Sequence, residues 1–299
     1  MKEKLKIKKV GIVTKLNNES YKPLIKKIYK YLKKNKKEVL LDCNSHQYFK
    51  GEVGYKKHEL LSKVDLILVL GGDGTLLKTA RRIQRKKTLV LGVNLGNLGF
   101  LTECTPAKVF ECLDEIFKGN YRIDKRALLR VTIYRKGKKV DTYVALNDAV
   151  INQGSFARLI DLSLEVNGRK VVGFKADGMI VSTPTGSTAH GLSAGGSIVH
   201  PDVECLSFVP ICPSSLSMRP FIVPGNKQMS VIINTQRRED APTIGLTIDG
   251  QDCVELQFGD RINVRRSKRY FHLVRTQNRY YKMLRNKLNW GDPKRKKCS

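Results

Sequence analysis

The apolar positions change their period partway along the chain. Up to about residue 125 short apolar runs alternate with helical spacing; beyond it, apolar and polar residues alternate one by one. Residues 5–14, L-K-I-K-K-V-G-I-V-T, read as a first strand, and a helix from about Ser20 to Asn35 carries Leu24, Ile25, Ile28 and Leu32 on one face. Glu38 to Asp42 reads as a short strand, and 43–55, without a clear period, as a loop. Leu66 to Leu70 is unbroken apolar sequence, the mark of a strand buried on both faces. It leads into Gly71-Gly72-Asp73-Gly74-Thr75 and then into Leu76, Leu77, Ala80 and Ile83 at helical spacing. Thr88 to Val93 is a further strand, so the order is β-α-β-loop-β-α-β, a parallel sheet whose ligand belongs at the carboxyl ends of the strands. Residues 94–101, N-L-G-N-L-G-F-L, make a second glycine-rich loop on that edge, and Thr105-Pro106 opens a helix that Gly119 ends.

From Arg126 onward the alternation predicts strands: 128–135 and 140–146 around a K-G-K-K turn, 162–166 and 170–174 around Asn167-Gly168, then 229–235, 243–251 and 253–266. Thr276 to Trp290 has helical spacing, and P-K-R-K-K-C-S reads as a basic tail. The predicted fold is an α/β nucleotide-binding domain with a parallel sheet over 1–125 and a β-rich domain over 126–270. A helical segment and tail follow over 271–299.

Composition narrows the class. With 41% hydrophobic and 28% charged residues in 299, the chain is ordinary globular sequence with room for two cores. No apolar run reaches the roughly 18 residues of a membrane span, and the start, M-K-E-K-L-K-I-K-K, is too charged for a signal peptide. Seven cysteines without a C-x-x-C pair point to a reducing, cytoplasmic setting. The net charge of +29 admits nucleic-acid binding or attraction of polyanionic substrates. The lysines are spread along the chain, with no zinc finger, RNP-like aromatics or basic-region helix, so no specific nucleic acid is expected.

A strand, a glycine turn and a helix start in that order make an anion site, with Gly71, Gly72, Gly74 and Thr75 as the phosphate-binding residues. Asp73 would repel a phosphate unless it holds a metal ion or takes a proton from an attacking hydroxyl, which suggests phosphoryl transfer to an alcohol. Three further stretches stand out: Leu146-Asn147-Asp148 at a strand end, Lys175-Ala176-Asp177-Gly178, and S-T-P-T-G-S-T-A-H-G-L-S-A-G-G over 182–196. Dense Ser, Thr and Gly in the last offer short donors and acceptors suited to a nucleoside. Flanking strands and Pro184 argue against a flexible linker there.

These motifs resemble those of the NAD kinases: G-G-D-G-T, the second glycine-rich loop, N-D after a strand, and D-G-x-x-x-S-T-P-T-G-S-T-A with S-A-G-G following, in order and at compatible spacing. P-I-C-P-S-S-L-S-M-R-P over 210–220 and L-N-W-G from Leu288 fit as well. The resemblance implies ATP as phosphate donor, a divalent metal ion (Mg²⁺ expected, its ligands left open), and phosphorylation of the adenosine-ribose 2′-hydroxyl of NAD to NADP. Asp73 would be the general base or metal-linked activator, beside Gly74 at the NAD, with Lys78 reaching a phosphate. Asn147 would meet adenine, and Asp148 would accept from ribose hydroxyls. Arg158, Lys175 and Asp177 would border NAD. Thr185, Thr188, Ala189, His190, Gly191, Leu192 and Ser193 would hold base and ribose, with Gln251 at the rim. The Asp177 position reaches a neighbouring subunit's site in the family, implying a dimer or tetramer.

One position departs from the pattern: the family's S-T-A-Y reads Ser187-Thr188-Ala189-His190 here, which predicts weaker or more pH-sensitive NAD binding. His46, His58, His200 and His272 lack partners at metal-ligand spacing. Two alternatives stand beside this reading: a lipid kinase of the diacylglycerol or sphingosine type, which shares G-G-D-G, and a basic nucleic-acid-binding protein.

Overall fold

The computed structural model describes residues 6–15, 19–83, 87–96, 99–154, 159–235, 244–277 and 280–289. The chain forms two compact units, residues 1–124 with 272–299, and residues 125–271.

In the first unit the strands are β1 (Lys9–Thr14), β2 (Glu38–Asp42), β3 (Gly54–Tyr55), β4 (Leu66–Leu70) and β5 (Leu89–Val93). Between and after them come helices α1 (Lys22–Lys34), α2 (Lys57–Lys63), α3 (Asp73–Ala80) and α4 (Val109–Lys118). The strands pair in parallel in the order β5-β4-β1-β2-β3. All five side chains of β4 are fully buried, as its unbroken apolar run requires of a central strand covered on both faces. α1 buries Ile25, Ile28 and Leu32 and turns its lysines outward. α4 ends at Gly119 in the left-handed conformation (φ 83°), where the Asn120 N–H returns to the Glu115 carbonyl at 2.7 Å.

The segment expected to be a loop over 43–55 contains a 3-10 turn, His46–Tyr48, and the two-residue strand β3. α2 was not legible as a helix: it has seven residues and buries only Leu60 and Leu61.

The second unit is antiparallel. Its strands are β6 (Arg122–Arg135), which starts in the first unit, β7 (Lys138–Ala145), β8 (Asp148–Asn152), β9 (Ile160–Val166), β10 (Arg169–Ala176) and β11 (Gly178–Ser182). After the short helix α5 (His190–Ser193) come β12 (Cys205–Ile211), β13 (Phe221–Pro224), β14 (Gln228–Ile233), β15 (Ile244–Ile248), β16 (Asp252–Leu256) and β17 (Arg261–Arg275). One sheet has the order β13-β12-β11-β8-β15-β16; in the other, β10-β9-β14-β17 run side by side, with β6 beside β17 and β7 beside β6. Their inner faces share one core, in which Leu162 and Val231 meet Met179 and Phe208. Phe174 and Phe208 pack edge to face across it, ring centroids 5.8 Å apart. Asn167 and Gly168 both have positive φ (50° and 76°) and close the β9–β10 hairpin as their sequence predicts.

The segment from 271, expected to be helical, begins as strand. His272 and Leu273 of β17 pair in parallel with Leu89 and Val90 of β5, and helix α6 (Tyr280–Leu288) follows. No helix among the described residues is long and apolar enough to cross a membrane.

Candidate active site

At the carboxyl end of β4 the chain turns directly into α3, whose opening N–H groups lack acceptors one turn back, as in any helix. Not all of the turn faces outward. The Gly71 N–H, expected near phosphate, donates instead to the Val93 carbonyl at 3.0 Å, and the Thr75 N–H donates to the Gly72 carbonyl at 3.0 Å. Thr75 is buried with its hydroxyl packed over Gly71. Gly72, Asp73 and Gly74 are the more exposed residues of the turn, and Lys78 is exposed one turn further along α3. Burial pushes the neighbouring Lys57 ammonium down; Asp42 opposes this, while the charges of Lys78 and Arg82 add to it. These cations gather around one end of the sheet, where they favour an anion.

Asp73 is held by the second glycine-rich loop. Its Oδ2 accepts the Phe100 N–H at 2.9 Å and its Oδ1 the Leu101 N–H at 3.2 Å. The approach depends on Gly99: a β-carbon there would lie 2.2 Å from Oδ1. Two donors fix the plane of the carboxylate, so a proton acceptor at this point has a set direction.

The loop is itself braced by Arg275. The guanidinium donates from Nη2 to the Phe100 carbonyl at 3.0 Å, and from Nη1 to the carbonyls of Leu101 and Thr102 at 3.3 and 3.0 Å. Asp124 meets Nε at 3.1 Å and Glu103 meets Nη1 at 3.3 Å. Glu103 also accepts the N–H groups of Thr276 and Gln277, at 2.8 and 3.0 Å. A buried arginine with its charge matched and its donors used is a rigid brace. The end of β17 thus sets the backbone that orients Asp73.

In the second unit a buried carboxylate organises the other site. Asp249 lies in the β15–β16 turn, where it and Gly250 both have positive φ (51° and 63°). Its oxygens accept the N–H groups of Leu146, Asn147 and Asp148 at 2.9, 2.7 and 3.2 Å. The run from Ser182 then folds over Asn147. The Thr183 N–H donates to the Asn147 carbonyl at 2.9 Å and its hydroxyl to the Leu146 carbonyl at 2.6 Å. Gly186 comes so close that a β-carbon would lie 2.1 Å from the Asn147 carbonyl oxygen. Far from a flexible linker, this run is mostly buried through Ser187.

Asp148 is 4% exposed. Burial, with the charge of Asp249 adding to it, pushes its carboxyl up to about 7, against a hydrogen bond from the His190 backbone N–H. The result is a buried carboxyl poised near neutrality at the edge of a hydroxyl-rich turn.

The chain matches the family model for the ATP-NAD kinase N-terminal domain over residues 10–121 and that for the ATP-NAD kinase C-terminal domain over 146–276. It is 38% identical to the NAD kinase of Geotalea daltonii and 39% identical to that of Geobacter metallireducens, in each case over 96% of this chain and 100% of the other. This chain belongs to the NAD kinase family. Among solved structures, yeast NADH kinase complexed with NADH superposes with a TM-score of 0.87 at 26% identity, over 98% of this chain and 91% of that one. An NAD kinase from Archaeoglobus fulgidus in complex with ATP gives 0.71 at 27%, over 94% and 98%.

The residues that the NAD kinase motifs single out fall into three groups. Asp73, Gly74 and Lys78 belong to the turn and helix of the first unit. Asn147, Asp148, Thr185, Thr188, Ala189, His190, Gly191, Leu192, Ser193 and Gln251 belong to the Asp249-centred cluster. There Thr185 is buried and receives a hydrogen bond from Arg126 at 3.3 Å, and Thr188 caps the Thr185 carbonyl at 3.2 Å. His190 is exposed. Lys175 and Asp177 are not brought to this cluster. Ser182 pairs with Asp148 at one end of β11 and Gly178 with Asn152 at the other. At about 3.3 Å per residue, Asp177 is therefore roughly 17 Å from the Ser182 end. There it accepts from Gln153 at 2.8 Å. Arg158 lies outside the described residues.

Asp249, Arg275 and Gln153 were missed in the sequence. Asp249 left one signal, an Asp-Gly turn after a strand. Among the described residues no three His, Cys, Asp or Glu side chains converge on a ready-made cation cage. A single carboxylate, Asp73, beside the glycine turn would suit a metal that arrives with a nucleotide and keeps most of its water.

Proposed function

We propose that this protein is an ATP-dependent NAD kinase that phosphorylates the adenosine-ribose 2′-hydroxyl of NAD to give NADP. The observation that carries the reading is the Asp73 carboxylate, aimed by two backbone N–H groups within a glycine turn at the head of a helix. The 2′-oxygen bonds to the γ-phosphorus of ATP, the bond from that phosphorus to the β,γ-bridging oxygen breaks, and ADP leaves. Asp73 receives the 2′-hydroxyl proton as the oxygen becomes a nucleophile. Gly72, Gly74 and the start of α3 border phosphate, with Lys78 supplying charge. A divalent metal, when bound, neutralises charge on the transferring phosphate.

The second unit holds the nucleoside. Asn147 meets adenine, ionised Asp148 accepts from ribose hydroxyls, and the turn from Thr185 to Ser193 packs on base and ribose, with Gln251 at the rim. Lys175 borders NAD, and Asp177 serves the site of a second copy in a homo-oligomer; the separation of Asp177 from Asp148 by the length of β11 supports this assignment. The free thiols of the six described cysteines fit work in the cytoplasm. Incubation with NAD, ATP and Mg²⁺ tests the proposal. A product that carries phosphorus on the 2′-oxygen by NMR is expected, and phosphorylation elsewhere or none would refute it.

A further inference from the structure

A second anion site lies in the antiparallel unit, away from every residue assigned above. The Gly225–Gln228 turn between β13 and β14 and residues Arg265–Lys268 of β17 border a cavity of about 380 Å³, with Tyr270 at its edge. The two segments are neighbours because Gln228 pairs with Arg265 across the β14–β17 ladder. The turn is firmly built: the Lys227 N–H donates to the Pro224 carbonyl at 3.0 Å, and the Gln228 N–H to Asn167 Oδ1 at 2.9 Å. Gly225 packs against the backbone of Glu204, whose carbonyl accepts its N–H at 3.0 Å.

Four cations line this cavity, Lys227, Arg265, Arg266 and Lys268. Arg266 is matched by Glu204 at 2.5 Å and lies over the Tyr270 ring at 5.9 Å. Lys227, Arg265 and Lys268 have no carboxylate partner among the described residues, although Lys227 and Arg265 are half-buried. Two other half-buried arginines of the unit do have carboxylate partners: Arg135 with Asp260 at 2.8 Å, and Arg261, on the same strand as Arg265, with Glu165 at 2.6 Å. An unmatched trio of like charges in one concavity repels itself and is relieved by an anion among them. A net charge of +29 makes scattered lysines unremarkable, but it does not explain convergence into a cavity with Asn226, Gln228 and Ser267 as further hydrogen-bonding groups.

We propose that this cavity is a binding site for a small oligophosphate anion, free or as the phosphate chain of a nucleotide. Three unmatched cations call for a ligand with several charges, and a single carboxylate would satisfy only one. The volume is that of a small-molecule site. The same face of a second copy would bring like charges together, which disfavours self-association through it. The guanidinium of Arg265 and the ammonium groups of Lys227 and Lys268 bind the phosphate oxygens, and amide side chains supply neutral donors.

Hydrogen exchange of the full chain tests the site directly, with inorganic tripolyphosphate as the probe and NAD present at saturation. Slower exchange is expected over residues 225–228 and 265–270. Arg265→Ser/Lys268→Ser is expected to abolish that protection and raise the Kd at this site at least tenfold, with NADP formation within twofold of wild type. Lys227→Ser, on the turn, is expected to weaken binding in the same direction if the double variant folds poorly. ATP protecting these segments as tripolyphosphate does, and adenosine failing to, assigns recognition to the phosphate chain. Unchanged exchange over both segments in wild type, or equal affinity in the folded variants, overturns the site.

Discussion

The carboxylate of Asp249 grips the backbone of Asp148 while its charge bears on the Asp148 side chain. It accepts the Asp148 N–H at 3.2 Å, and the Asp148 carboxyl, raised mainly by burial and further by Asp249, stands at about 7. One residue thus places this strand end and helps to set when its carboxyl ionises.

If only ionised Asp148 accepts hydrogen bonds from ribose hydroxyls, the KM for NAD falls as pH rises through 7. Between pH 6 and pH 8 the fall is about tenfold. Steady-state kinetics of wild type and Asp148→Asn check this: the variant has a higher KM that is flat with pH. A variant that keeps the wild-type slope removes Asp148 from this role.

Stability moves with the same group. The folded carboxyl titrates at about 7 against an ordinary value of 3.8, so over that interval the native state binds more protons than the unfolded chain. Stability contributed by the protonated carboxyl is therefore complete below pH 3.8 and is lost as pH rises through 7. From pH 5 to pH 8, Asp148→Asn should lose less stability than wild type, by about 3 kcal/mol. Denaturant unfolding at the two pH values without ligand measures the difference; parallel losses would contradict the assignment.

Asp73 depends on its brace. Gly99→Ala puts a methyl group where the carboxylate lies, and Arg275→Ala releases the carbonyls of Phe100, Leu101 and Thr102. Both should lower kcat by about 10² or more while the KM for NAD changes only a few-fold. Arg275→Ala also leaves Glu103 and Asp124 buried without their cation and should cost about 3–5 kcal/mol of stability. Gly99→Ala is the cleaner kinetic test. Wild-type turnover in folded Gly99→Ala would show that the orientation of Asp73 does not matter.

What the sequence made legible was local. The Leu66–Leu70 strand, the glycine turn after it and the Asn167-Gly168 hairpin are each written in consecutive residues, and the structure has all three. β3 and α2 were hidden because two residues carry no period and two buried leucines carry little. The site was legible as motifs but not as a mechanism of positioning. Asp249 acts on Asp148 across 101 residues, and Arg275 acts on Phe100 across 175. No spacing rule reaches so far. The Gly71 N–H is taken by Val93 of the neighbouring strand, a pairing that the turn's own sequence does not reveal.

His190 offers a separate check on the source of pH dependence. Its ring is exposed, and its link to Asp148 runs through the backbone N–H, which any side chain retains. His190→Tyr should lower the KM for NAD about two- to fivefold by adding aromatic contact worth about 0.5–1 kcal/mol. It should leave the pH slope through 7 in place. A slope that vanishes in His190→Tyr and survives in Asp148→Asn would move the titrating group to the imidazole.

The central claim is that Asp73 takes the proton from the hydroxyl that is phosphorylated. The most direct measurement is NADP formation from NAD, ATP and Mg²⁺, read through an NADP-specific dehydrogenase, for wild type and Asp73→Asn. Turnover in the wild type, with kcat lower by about 10² to 10⁴ in a folded variant, is the predicted result. Asp73→Asn turning over at the wild-type rate would contradict it.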